Sequence, residues 1–315
     1  MESIPEDPFF KFRPDTLCEV RKEFNLHQPG AMDEAIKSFD EWIQKQNHFT
    51  KRDFNRHFLE VSIILSKGSL ERAKKTLDKL CTMKTLLPKF FSKHDIKEIM
   101  DVRDFVMATL MPRLTEDHYR VFVFKAMTTA FDSTTWFEYY RYIMLICEYV
   151  KAHDYFQGFC FLVDVRDINI VNFAMNLNIL DIRNLMTLLT EGYGVRMKGI
   201  HILTESKAVD VLVGVIKQIV SEKLGKRVQV HRNLDSVYDC IEKELLPIEY
   251  GGQEKPLMEI YGKDVFIIFL IGKKENVEYF RDISQAGTNE AYRHTAVFNN
   301  DILGMPGSFR SLTVD

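Results

Sequence analysis

The chain has 315 residues, enough to bury a sizeable core and to form two closely packed lobes. Its formal net charge of −3 excludes a dedicated nucleic-acid binder on overall electrostatics. Five cysteines without a CxxC pair argue against a disulfide scaffold and favour a reducing compartment.

Residues 1–30 read as irregular, because Pro5, Pro8, Pro14, Pro29 and Gly30 punctuate them. The opening MESIPEDPFF is acidic and broken by prolines, unlike a signal peptide. From Met32 to about Phe91 the pattern is helical, with Ile36, Phe39, Trp42 and Ile43 on one face of a first helix. Ser69 opens a further helix whose face carries Leu70, Ala73, Leu77, Leu80 and Met83, and Pro88 ends it. Arg103–Leu114 reads as a helical connection, which closes a helical N-terminal lobe over residues 31–115.

An α/β lobe is expected over residues 116–252. Arg120-Val-Phe-Val-Phe is rich in strand-forming residues, and a helix through Trp136–Val150 separates it from the strand Gly158–Asp164. A helix near Asp181–Leu189 precedes a strand over Val195–Leu203. Strands that alternate with helices predict a mainly parallel sheet with right-handed crossovers. Val209, Leu212, Val213, Ile216, Ile219, Val220 and Leu224 then recur at helical spacing and predict a helix with one apolar face. Residues 253–315 read as an extension packed on this lobe. The longest purely apolar run, Val265–Ile271, is far shorter than the ~20 residues that span a bilayer. The expectation is a soluble cytoplasmic protein.

Taken in order, SLERAKKTLDKL, LLPKFF, GFCFLVDV, VRMKGIHIL, SEKLGKRVQVH and LLPIEYGG resemble the CRAL-TRIO family of lipid-transfer proteins over roughly residues 30–252. The terminal GSFRSLTVD also looks like the ending of many animal members. The resemblance implies a helical N-terminal lobe on an α/β lobe whose sheet floors an apolar cavity covered by a mobile helix. Matched to tocopherol-binding relatives, the pocket walls would be Tyr140, Ile143, Cys147, Phe159 and Val163. Leu185, Leu188, Leu189, Tyr193, Val195, Met197 and Ile200 would complete them. The lid would present Val209, Leu212, Val213, Ile216 and Val220. Tyr140, Tyr193 and Cys147 would supply the few polar contacts of such a site.

Arg196 and Lys198 alternate with Val195 and Met197, which turns the charges away from the apolar face. Lys223 and Arg227 are four apart at the end of the lid and read as helical neighbours. The resemblance implies that these four hold the phosphates of a phosphoinositide headgroup. Relatives usually carry arginines where Val61, Ile64 and Ser66 stand, leaving Lys67 as the basic residue there. Lys217-Gln218-Ile219 replaces a common Lys-Pro-Phe, so the lid lacks a proline kink and is expected to be straighter.

No GxSxG elbow, HExxH helix, P-loop or GxGxxG motif occurs, and no acid–base partner is evident for Asp164 or Asp167. The nine histidines lack paired metal-ligand spacing, and structural hydrogen bonding is expected of His201 and His231. The expected molecule is a monomer without enzymatic activity, cofactor or metal. It would carry a small lipophile of retinoid, tocopherol, carotenoid or isoprenoid type between membranes. The alternative is a phosphoinositide-responsive scaffold recruited to membranes.

Overall fold

The computed structural model describes residues 4–91, 105–128, 133–261 and 274–293; Val265–Ile271 and GSFRSLTVD lie outside them. The segment expected to be irregular holds a helix, α1 (Thr16–Lys22). Pro14 stands outside it, and Leu17 and Val20 give it a buried face. Helix α2 (Ala31–Gln44) buries Met32, Ala35, Ile36, Phe39 and Ile43, as its periodicity predicts. Helix α3 (Arg56–Leu65) starts where the Asn55 side chain accepts the Phe58 N–H at 2.7 Å, a local N-cap. Every residue from Phe58 to Leu65 is buried. Ser69 caps α4 (Leu70–Leu86) in the same way, and Pro88 opens a short 3-10 turn after it.

The expected helical connection up to Leu114 is corrected: Val106–Leu114 is a strand, β1. Its apolar residues are buried on both faces, and such a run carries no alternation that would separate it from a buried helix. Pro112 falls where the pairing register shifts between Leu110 and Leu114, a place where a missing N–H costs no ladder bond. Strand β2 (Tyr119–Ala126) follows, then α5 (Ser133–His153), β3 (Gly158–Asp164), α6 (Ile170–Met175) and α7 (Ile179–Thr187). A π turn, Leu188–Gly192, leads to β4 (Met197–Leu203). The order of the sheet is β1-β2-β3-β4 and then β5 (Val228–His231), antiparallel at the first pair and parallel thereafter.

The predicted lid is two helices rather than one. Helix α8 (Val209–Ile219) stops where Val220 becomes extended, and the Ser221 hydroxyl accepts the Leu224 N–H to start α9 (Glu222–Gly225). The chain therefore bends there without a proline. Arg227 lies beyond α9, so it is not the helical neighbour of Lys223 that the spacing suggested. Helices α10 (Leu234–Tyr238), α11 (Leu257–Tyr261) and α12 (Lys274–Ile283) complete the described chain. Among the described residues no helix is long and apolar enough to cross a membrane.

Gly158 shows how β3 and β4 are brought together. Its φ is +151°, and a Cβ there would lie 2.4 Å from the Arg196 carbonyl oxygen. Only glycine lets the Phe159 N–H reach that oxygen at 2.7 Å. The helical part is tied to the sheet part by a buried ion pair, in which Lys84 of α4 donates to Glu148 of α5 at 2.5 Å.

Candidate functional site

A cavity of about 220 Å³ lies between the sheet and α8. Phe122 and Phe124 of β2 line its floor with Phe159, Phe161 and Val163 of β3, and Met197 and Ile200 of β4, with Val195 just before that strand, continue it. The alternation of strand side chains produces this: Phe122 and Phe124 in RVFVF, and Phe159, Phe161 and Val163 in GFCFLVD, are each two apart and share the cavity face. Helix α5 contributes Tyr139, Ile143, Ile146 and Cys147. Phe173, Leu177, Leu185, Met186 and Leu189 close a side, and Leu212 and Ile216 of α8 form the roof. The π turn matters here, because its bonds from Tyr193 N to Leu188 O and from Val195 N to Leu189 O fold Leu189 against the cavity.

Not every predicted wall residue lies there. Tyr140 is buried behind the cavity, stacked on Phe90 and Trp136 at centroid distances of 5.6 and 5.9 Å. Leu188 is also buried but faces elsewhere, and Tyr193 donates its hydroxyl proton to Glu148 Oε1 at 2.7 Å. That hydroxyl is committed to the core. Cys147 and Tyr139 are the titratable groups that line the cavity, and burial raises both well above their ordinary pKa values. Neither ionises at neutral pH, so the cavity carries no charge among the described residues. On the roof, Val209 is buried, whereas Val213 and Val220 are half-buried and pack against the core without lining the cavity.

A family model described as "CRAL/TRIO domain" matches residues 90–252. The chain belongs to the CRAL-TRIO family. This is a family of lipid-binding and lipid-transfer proteins, and the cavity sits wholly within the matched CRAL-TRIO residues. A second model, described as "Pinta-like, UBA domain", matches residues 28–100. The alpha-tocopherol transfer protein-like protein of Mus musculus is 20% identical over 241 residues, which cover 76% of this chain and 70% of that one. The clavesin-2 of Homo sapiens is 35% identical over 69 residues, 22% of this chain and 21% of that one. A crystal structure of Sfh5 aligns over 85% of this chain and all of that one at 11% identity, with a TM-score of 0.47.

Three of the four basic residues expected at a headgroup site in this CRAL-TRIO chain have separate partners. Lys198 donates to Asp117 at 2.6 Å, and Arg227 donates to the Met197 carbonyl at 2.5 Å. Arg196 donates to Gln157 at 2.9 Å and also lines a second cleft with Lys67, Arg72, Lys75 and Lys79. The Arg196 guanidinium is the main cause of a lowered Lys67 pKa, with burial, Lys223 and Arg72 adding to it. Cations thus converge on Lys67, with Glu191 as the carboxylate of the cleft. Val61 and Ile64, where arginines were expected, are buried inside α3, so the basic lining comes from Lys67 and α4 instead. Val195 lines both the apolar cavity and the basic cleft.

Proposed function

We propose that this chain carries one compact lipophile in the cavity beneath α8 and delivers it at a membrane surface. The apolar, uncharged cavity carries this reading. Its volume of about 220 Å³ falls below the ~300–1,000 Å³ of ordinary ligand pockets. That disfavours a two-chain phospholipid, while the aromatic and sulfur-bearing walls at Phe122, Phe159 and Met197 favour a ring-bearing or polyene molecule of retinoid, tocopherol, carotenoid or isoprenoid type, for which α8 must shift outward. Ile143, Cys147, Phe159, Val163, Leu185, Leu189, Val195, Met197 and Ile200 are its proposed walls. Tyr140, Leu188 and Tyr193 set the wall positions from behind.

Helix α8 is the proposed lid. Val209 and Leu212 are buried near its start, while Val213 and Ile216 are half-buried further along, which suits a helix that lifts from its C-terminal end. Exposing an aliphatic side chain costs up to ~1.5–3 kcal/mol, so lifting three of them in water costs on the order of 5 kcal/mol. A membrane lowers that cost by accepting the apolar face. Val171, Met175, Ile179, Leu180 and Val211 already expose apolar side chains on α6, α7 and the adjoining α8. Extraction of the purified protein followed by mass spectrometry tests the reading. A copurified lipophile, or uptake of a retinoid or tocopherol probe, supports it; failure of both rejects it.

A second reading rests on the basic cleft. Lys67, Arg72, Lys75, Lys79 and Arg196 would hold a phosphorylated headgroup, with Lys223 acting on Lys67, and would direct the protein to phosphoinositide-bearing membranes. Flotation with phosphoinositide vesicles separates the readings: headgroup-dependent binding without cargo transfer points to a scaffold. Unchanged flotation of the Lys67→Ala, Arg196→Ala variant dismisses the cleft.

A further inference from the structure

The face of the sheet opposite the cavity gathers two histidines and a cysteine. Phe161 and Ile200 are register partners that face the cavity, so Leu162 and His201, the next pair, face the other side. Leu203 shares the His201 face and pairs with His231, which places the two imidazoles diagonally across β4 and β5. The chain then passes through α10 and brings back Cys240. His201 Nδ1 lies 3.0 Å from His231 Nε2, and the ligand atoms of His201, His231 and Cys240 all lie within 4.8 Å of one another. We propose that these three side chains bind zinc, or a divalent cation of the same class, with a water molecule as the fourth ligand.

Several features suit these groups to a metal. Two imidazoles and a thiolate are a donor set that zinc prefers, at about 2.0–2.1 Å to nitrogen and 2.3 Å to sulfur. An ion between the nitrogens needs them slightly further apart than they are, and Cys240, half-buried after a short helix, is the ligand that must move in. His231 has the outer partner a ligand needs: its Nδ1 lies 3.2 Å from Ser236 Oγ, which itself donates to the Asn233 carbonyl at 2.9 Å. The hydroxyl therefore accepts from Nδ1–H and leaves the His231 Nε2 lone pair facing His201. Gly199 provides the room, because a Cβ there would lie 2.6 Å from His201 Nε2.

The proton balance is simple. His201 Nδ1 gives up the hydrogen it shares with His231, and its Nε2 takes one up, so the ring stays neutral. The thiol of Cys240, which now donates to Gln229 Oε1 at 3.3 Å, loses its proton to solvent as the metal–sulfur bond forms. The ion would clip the four-residue edge strand β5 to β4 and to the segment after α10.

The test uses the full chain stripped with a chelator and titrated with Zn²⁺ and Co²⁺. Roughly one ion should bind per chain, with a thiolate-to-cobalt charge-transfer band that Cys240→Ser abolishes. Ser236→Ala should weaken binding about tenfold. Zn²⁺ should also slow alkylation of Cys240 in the unaltered protein about tenfold, read at the Cys240 peptide by mass spectrometry. This last measurement needs no variant to fold. No bound ion, a cobalt band that survives Cys240→Ser, or alkylation at an unchanged rate would each overturn the site.

Discussion

Arg120 and Asp154 form a bidentate ion pair with no exposed side-chain surface, Nε to Oδ2 at 2.9 Å and Nη2 to Oδ1 at 2.6 Å. The same guanidinium donates to the Met111 and Pro112 carbonyls and lies 4.3 Å from the centre of the Phe10 ring. One side chain of β2 thus holds the end of β1, the residue after α5 and the N-terminal segment. None of these partners lines the cavity, so the arginine serves the frame.

Asp154→Asn should therefore destabilise the protein by about 3–5 kcal/mol, because it leaves a buried guanidinium without its counter-charge. Urea unfolding reads this directly. A loss below about 1 kcal/mol would mean that water or another group compensates the arginine.

Lys151 makes stability depend on pH. It is buried, donates to Ser62 Oγ at 2.8 Å, lies 5.1 Å from the centre of the Phe58 ring, and burial lowers its pKa from 10.5 to about 7 in spite of Glu148. Between these two values the unfolded chain binds more protons than the folded one, so stability rises with pH from about 7 towards 10. Melting curves at pH 7, 8 and 9 should show the unaltered protein gaining on Lys151→Met, by up to about 1.4 kcal/mol per pH unit. Parallel curves would rule out the buried, neutralising lysine.

Ile216 of α8, the proposed lid, is half-buried and lines the cavity. Ile216→Gln should weaken that contact by ~1 kcal/mol and speed lipophile release about fivefold. Stopped-flow transfer to acceptor vesicles measures it. An unchanged release rate would place the gate elsewhere than α8.

Met175 is 76% exposed at the end of α6, and Leu180 is exposed near the start of α7. Replacing both by Asp should reduce vesicle binding at least about tenfold without changing lipophile affinity in solution, since charge is costly to place in the apolar boundary. Undiminished vesicle binding would exclude this face from membrane contact.

Much of the frame was legible because its signals are local. Ser69 and Pro88 bound α4, and the alternation in GFCFLVD gives β3 its cavity face. The strand β1 was not legible, since burial of both faces removes the period on which a strand is recognised. Helix α5 misled for a related reason: it is buried nearly all round, so Tyr140, Ile143 and Cys147 and the observed Tyr139, Ile143, Ile146 and Cys147 look alike as stripes. Phe122 and Phe124 follow the period-two pattern of RVFVF, but that pattern alone marks a strand without saying which of its faces meets the cavity. The bend at Val220 has only Ser221 as its signal. His201, His231 and Cys240 are spread over forty residues, and only the β4–β5 pairing brings them together.

In the proposed function the cavity beneath α8 holds the cargo. Cys147→Phe places a ring into that space from α5, where open volume absorbs much of the ~1–3 kcal/mol that overpacking otherwise costs. Equilibrium titration of the unaltered protein and this variant with one fluorescent tocopherol or retinoid analogue is the most direct measurement. The unaltered chain should bind saturably, and a variant of near-normal melting temperature should bind at least about tenfold more weakly. Equal binding by the two proteins would contradict the proposed function.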